Sequence, residues 1–214
     1  MFRIELRKIL PKAFAGHEPV QSDLWLTEAL FVKKERILIN SESGSGKSSL
    51  CGYFLGFRKD FSGTILYDGE DISIFKEKDW LKIRKEQISV MLQDLRLFKD
   101  LTALENVVIK NRLTNWKTIQ EIKELFVRLG IIDKLEQPVG KLSLGQQQRV
   151  AFIRSLCQPF NFLVLDEPVS HLDKQRVLAM SEIISEEIEK QSAALIVTSI
   201  GYHPELEYDK VVRL

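Results

Sequence analysis

The sequence predicts an α/β fold, a mainly parallel sheet with a helical part inserted into it, on three observations. Two short apolar segments, Phe160–Leu165 and Ala193–Thr198, are β-prone and apolar on both faces, as strands buried inside a parallel sheet are. Between them, Lys174–Gln191 spaces Val177, Leu178, Met180, Ile183, Ile184 and Ile188 along a helix, so strand, helix and strand form a right-handed parallel crossover. From about Gln93 to Cys157 the pattern turns mostly helical, which places an insertion within the sheet's connections.

The elements follow in chain order. Phe2–Leu6 alternates apolar and charged residues as an edge strand does, and Trp25–Val32 reads as a second strand. Arg36–Ile39 is a strand that runs into a Gly/Ser cluster, and Ser48–Leu55 is the helix beyond it. A short strand precedes Gln93. The insertion holds helices over Ala103–Lys110, Thr118–Leu129 and Gln146–Leu156. After the long helix and its following strand, Lys210–Leu214 forms a final strand.

Composition narrows the function classes. The chain has 214 residues, with 31 Lys+Arg against 30 Asp+Glu, a formal charge of +1. That balance argues against nucleic-acid binding by bulk charge. A hydrophobic content of 44% and a charged content of 29% fit a folded domain rather than a disordered chain. The longest unbroken apolar run is Ala193–Val197, far short of the roughly 20 residues a membrane-spanning helix needs. Charges interrupt the N-terminal MFRIELRKILPKAF, so it does not read as a signal peptide. Cys51 and Cys157 have no metal or disulfide spacing and read as reduced thiols.

The segment ILINSESGSGKSS carries the clearest chemistry. Its strand ends in Ser41, Glu42, Ser43, Gly44, Ser45, Gly46, Lys47, Ser48 and Ser49, and a helix follows. The glycines let backbone N–H groups turn inward, where they and the helix N-terminus cradle phosphate oxygens. Lys47 then reaches the β- and γ-phosphates, and the Ser48 hydroxyl ligates Mg²⁺. The usual pattern begins with Gly where Ser41 stands. If that position needs a positive φ, Ser41 costs on the order of 1 kcal/mol.

Downstream, FLVLDEP is an apolar strand ending in Asp166 and Glu167. Asp166 is placed to hold Mg²⁺, and Glu167 to polarise an attacking water as general base. LSLGQQQRV opens a helix: Ser143 is an N-cap candidate, and Gln146 three residues on completes a capping box. This is either a well-capped helix and nothing more, or a second anion site at the helix N-terminus, which needs a phosphate from elsewhere.

The ordered set of GSGKSS at 44–49, Gln93 after a strand, LSLGQ at 142–146, FLVLDEP at 162–168 and SHLD at 170–173 resembles the ATP-binding cassette (ABC) ATPases over nearly the whole chain. The resemblance implies one cassette over 1–214, with a P-loop core, an antiparallel N-terminal β part and a helical subdomain over about 94–158. It implies ATP and Mg²⁺ as ligands and a head-to-tail homodimer in which Ser143, Gly145 and Gln146 cap the partner's ATP. Asp173 would couple the two sites, and Gln93 would sit near Mg²⁺ and the attacking water. An aromatic near the N-terminus stacks on adenine in the family; Phe14 is the candidate here, or it is core. Leu144 stands where the signature usually has Gly.

A second departure concerns hydrolysis. The family usually places His after the strand that follows the aspartate loop, and here Ser199 stands there. Ser199 can hydrogen-bond a phosphate oxygen but carries no charge, and losing one such donor typically costs 10²–10³ in rate. His203 can reach back, or it is a loop side chain. The expectation is a slow ATPase; a cassette that binds ATP as a dimerisation switch with little hydrolysis is the alternative. The segment 64–107 looks most like the ATPases of lipoprotein-releasing, macrolide-exporting and cell-division systems. The resemblance thus implies a separate membrane permease and a place on the cytoplasmic face of the inner membrane. Leu95, Leu97 and Phe98 then form the groove for a permease coupling helix, or the insertion's core.

Overall fold

A computed structural model describes residues 1–16 and 21–214. Two sheets form the framework. An antiparallel sheet in the order β2-β1-β4-β5 combines β1 (Arg3–Pro11), β2 (Glu28–Val32), β4 (Phe61–Tyr67) and β5 (Glu70–Asp71). A parallel sheet in the order β6-β7-β8-β3-β9 combines β3 (Arg36–Asn40), β6 (Ile88–Met91), β7 (Phe162–Asp166), β8 (Ala194–Ser199) and β9 (Lys210–Arg213). The helices are α1 (Lys47–Phe54), α2 (Glu77–Glu86), α3 (Ala103–Asn111), α4 (Ile119–Arg128), α5 (Leu144–Ser155) and α6 (Lys174–Gln191).

The expected crossover is present: α6 spans Lys174–Gln191, and β7 pairs in parallel with β8 from Phe162↔Ala194 to Asp166↔Thr198. All residues of β7 and β8 are buried, which explains their unbroken apolar character. Their period of two divides the core. Leu163, Leu165, Leu195 and Val197 face a cluster shared with α6 and the helical insertion. Phe162, Val164, Ala194 and Ile196 face a second cluster, formed with α1 and the antiparallel sheet. Each of these buried Leu, Val, Ile and Phe side chains contributes roughly 1.5–3 kcal/mol of transfer free energy.

Helices α3, α4 and α5 lie between β6 and β7 in the chain. Each starts with the same device. Thr102 with Glu105, Thr118 with Glu121, and Ser143 with Gln146 form reciprocal capping boxes, each satisfying two otherwise orphaned N–H groups.

Two N-terminal expectations are corrected. β1 is an interior strand, hydrogen-bonded to both β2 and β4, and it runs to Pro11 rather than Leu6. Its alternation slips between Arg7 and Leu10, where Lys8 has φ +51°, and this bulge hid the strand's second half. β2 starts at Glu28, not Trp25. Leu26 has φ +60°, so the chain turns there and Trp25 packs elsewhere.

Candidate functional site

β3 lies between β8 and β9 and delivers its carboxyl end to the loop Ser41–Gly46, after which α1 begins at Lys47. Gly44 and Gly46 have φ of +80° and +101°, left-handed values that glycine adopts freely. A Cβ on Gly46 would also sit 3.0 Å from Trp25 Cζ2 and 3.1 Å from Phe14 Cε2. The Trp25 indole donates to Ser45 O at 2.9 Å and so braces the loop from below. Ser41 is not in the left-handed region; its N–H and hydroxyl both donate to Ser199 O, at 3.0 and 3.1 Å. The cost conditionally expected for a non-glycine there does not arise.

Phe14 and Ser41–Ser45 line one cavity of about 600 Å³, with Arg213 at its edge. Phe14 is half-buried, packed against Gly46 on one side and facing the cavity on the other. Ser48 is exposed at the start of α1, and the Ser49 hydroxyl accepts from Arg58 Nη1 at 2.8 Å.

Lys47 is only 6% exposed. Its Nζ donates to Glu42 O at 3.2 Å and stands 3.4 Å from Glu167 Oε1. Glu167 has φ +50°, a conformation costing roughly 1–2 kcal/mol outside glycine. Three bonds enforce it: Glu167 N–H donates to Thr198 O at 3.0 Å, and Glu167 O accepts from Gln148 Nε2 at 2.9 Å and Ser170 Oγ at 3.3 Å.

Asp166 Oδ1 accepts from the Thr198 hydroxyl at 2.5 Å. Burial pushes the Asp166 carboxyl above the usual carboxylate range, opposed by the Thr198 bond and the Lys47 charge. Among the described residues, Asp166 Oδ2, Glu167 Oε1 and Ser45 Oγ are buried with no hydrogen-bond partner, Glu167 Oε1 having only its ion pair with Lys47. Such orphaned acceptors are rare unless a ligand or ion supplies the missing partner. Ser48, Gln93 and Asp166 line one further cavity of about 400 Å³. A hydroxyl, an amide oxygen and a carboxylate beside it form the hard-oxygen donor set that Mg²⁺ takes together with phosphate oxygens, so these residues fit that ion. Among the described residues no cluster of three or more His, Cys, Asp or Glu side chains forms an all-protein metal site.

The second constellation lies at the start of α5. Gln146 N–H donates to Ser143 Oγ at 3.3 Å, and Ser143 N–H donates to Gln146 Oε1 at 2.9 Å. A Cβ on Gly145 would come within 2.6 Å of His171 O, so glycine lets this helix end dock against the loop after Glu167. Asp173 caps α6, its Oδ1 accepting from Arg176 N–H at 2.9 Å. Among the described residues no hydrogen bond joins Ser143, Gly145, Gln146 or Asp173 to the phosphate loop of the same chain.

Ser199 is buried, and its hydroxyl donates to Tyr202 O at 2.7 Å while its carbonyl holds Ser41. The direct phosphate contact expected of its side chain is not prepared here: the hydroxyl is turned into the following loop. His203 packs edge-on against Tyr208, with Nδ1 3.0 Å from Pro204 O, and does not reach back over the strand end. Three residues that shape the site escaped the sequence: Trp25, Gln148 and Thr198. Gln148 left a signal, a polar side chain at a buried position of α5.

The sequence model described as "ABC transporter" matches residues 29–170. The lipoprotein-releasing system ATP-binding protein LolD of Buchnera aphidicola subsp. Schizaphis graminum is 30% identical over 194 residues, 81% of this chain and 84% of its own. Among solved structures, the dimeric structure of MJ0796, a bacterial ABC transporter cassette, superposes with a TM-score of 0.76 at 24% identity, covering 91% of this chain and 87% of that one. A post-hydrolysis state of the same cassette, bound to ADP and Pi, superposes at 0.74 with 22% identity over the same shares. These likenesses agree with the fold read above.

Proposed function

The chain belongs to the ABC transporter family, and we propose that it is an ATP-hydrolysing subunit that works as a head-to-tail homodimer and drives a separate integral-membrane permease. One observation carries the reading: Lys47 faces Glu167, and two further buried oxygens, Asp166 Oδ2 and Ser45 Oγ, lack a hydrogen-bond partner among the described residues, at the end of a loop built to cradle phosphates. The N–H groups of the loop beyond Ser41, whose own N–H is held by Ser199 O, and of the start of α1 bind the phosphate chain, with Lys47 on its β- and γ-oxygens. Phe14 offers its cavity-facing side to adenine. Ser48, Gln93 and Asp166 would hold Mg²⁺, which would supply positive charge against that developing on the phosphates. Glu167 accepts the proton of the attacking water, and its enforced backbone holds the carboxylate in place.

Ser143, Gly145 and Gln146 serve a partner's nucleotide, which explains why the capped, exposed end of α5 makes no bond to its own loop. Asp173 couples the two composite sites. The similar cassette MJ0796 is described as dimeric and, in one state, as bound to ADP and Pi, which supports both dimerisation and turnover here. The LolD relative is named as the ATP-binding protein of a lipoprotein-releasing system, which supports a role as one subunit of a larger assembly; the permease and the cytoplasmic face of the inner membrane are part of the proposal. Among the described residues no helix is long and apolar enough to cross a membrane. The apolar groove beside Leu95 and Phe98 is the docking place for a permease coupling segment. Hydrolysis is slow because the side chain at the end of β8 carries no charge and points inward.

The test is ATP-dependent dimerisation. Glu167→Gln removes the base and keeps the binding groups, so with MgATP it should elute as a dimer and with ADP as a monomer in size-exclusion chromatography. An ATP-bound protein that stays monomeric at high concentration would overturn the composite-site reading.

A further inference from the structure

The groove between the parallel sheet and the helical insertion has an unbalanced charge. It encloses about 360 Å³ between β6, α3 and the loop after Gln93. Phe57, Phe98, Ile109 and Leu113 stand exposed around it, each by more than two fifths of its surface. Every ionisable side chain lining it is a cation: Arg84, Arg96, Lys110 and Arg154. Among the described residues Arg96 alone of the four has an ion-pair partner, Asp94 at 3.0 Å.

The other three cations rest on backbone carbonyls. Arg84 Nε donates to Leu55 O at 2.8 Å, Lys110 Nζ to Arg84 O at 3.4 Å, and the Arg154 guanidinium to Leu95 O and Arg96 O at 2.5 and 2.7 Å. Burial lowers the pKa of all three, and the Arg154 charge lowers that of Lys110 further. Glu77 and Asp94 exert only a weaker, opposing pull on Arg84 and Arg154, and neither carboxylate lines the groove. Partly buried cations crowding one another without a carboxylate are costly, and an incoming anion relieves that cost.

The surface is also preorganised. Arg84 lies 4.6 Å and Arg96 5.7 Å from the centre of the Phe57 ring, so two guanidinium groups rest against this exposed aromatic. Asn106 fixes the loop edge by accepting from Phe98 N–H at 2.8 Å and donating to the carbonyls of Phe98, Leu101 and Thr102. Leu95 and Arg96 have φ of +56° and +44°, and Arg154 pins the carbonyls of both.

We infer that this groove selects an acidic partner: a short amphipathic helix whose apolar face enters among Phe57, Phe98, Ile109 and Leu113 and whose carboxylates meet Arg84 and Lys110. The inference rests on the reading of the chain as a permease-driving subunit, and it adds the charge of the segment that docks. Apolar contact supplies affinity, and the unpaired cations supply the choice among helices of similar shape.

The probes are three stapled helical peptides about four turns long, with the same Leu/Phe face and flanking positions that are all Glu, all Gln or all Lys. Binding to the full chain is read by fluorescence anisotropy at two salt concentrations. The Glu peptide should bind about tenfold more tightly than the Gln peptide, with the Lys peptide weaker still and the preference shrinking in high salt. Arg84→Gln and Lys110→Gln, each checked by its melting temperature and nucleotide affinity, should abolish most of that preference and leave Gln-peptide binding unchanged. Equal affinity for all three peptides, or a Glu preference that survives both substitutions, overturns the acidic-partner inference alone. If no peptide binds, the groove is not a helix-docking site, and permease docking there falls with the inference.

Discussion

Lys47 Nζ stands 3.4 Å from Glu167 Oε1, and both side chains are largely withdrawn from solvent. The pair joins the residue after the phosphate loop to the residue after the buried acidic strand, and it marks the end of the site where chemistry belongs. Lys47→Ala should lower ATP affinity about 10–100-fold, because it removes a charge-assisted donor and leaves Glu167 facing bound phosphates without a cation. Titration with a fluorescent ATP analogue checks this. An unchanged affinity would mean that the phosphates lie elsewhere.

Trp25 braces the loop through a single hydrogen bond to Ser45 O, and its ring packs against Gly46. Trp25→Phe keeps most of the packing and loses the bond, worth about 1 kcal/mol. The expected result is a melting temperature lower by about 2–4 °C and ATP affinity weaker by about fivefold. A variant that melts lower and still binds ATP normally would limit Trp25 to stability.

Gly145 sits where a Cβ would come within 2.6 Å of His171 O. Gly145→Ala must push the start of α5 away from the loop that follows Glu167, at a cost of roughly 1–3 kcal/mol. Monomer ATP affinity should stay within about twofold, since Gly145 makes no bond to its own phosphate loop, whereas ATP-dependent dimerisation should weaken at least about tenfold. Analytical ultracentrifugation with and without ATP separates the two effects. Dimerisation at normal strength would remove Gly145 from the interface.

The long apolar-spaced segment Lys174–Gln191 was legible to its last residue because its apolar face is regular and Asp173 caps it. The phosphate loop and the Asp166–Glu167 strand were legible because local spacing alone carries their chemistry. The antiparallel sheet was less so. β1 pairs with β2 and β4 over long stretches of chain and contains a bulge, so its alternation fades after Arg7. α2 was missed because EKDWLKIRKE buries only Trp80 and Ile83, too few apolar positions to show a period. The second layer of the site depends on tertiary contacts: nothing near Trp25 in the sequence points to Ser45, and nothing near Gln148 points to the Glu167 carbonyl.

Ser199 donates inward to Tyr202 O, so Ser199→Ala should cost about 1 kcal/mol of stability and leave turnover within about twofold. Ser199→His supplies a ring that can carry charge at the end of β8, and it should raise turnover at some loss of stability, since the site is fully buried. A hundredfold loss of turnover in Ser199→Ala would place the hydroxyl in the reaction itself. A His variant with unchanged turnover would detach the strand end from the rate.

Steady-state phosphate release by the purified chain with MgATP, measured beside Glu167→Gln, is the most direct test of the central claim. Slow release by the wild-type chain, lost in Glu167→Gln while ATP binding persists, is the predicted result. Release no higher than that of Glu167→Gln, alone and with a membrane partner, would contradict the account and leave a protein that binds ATP without turning it over.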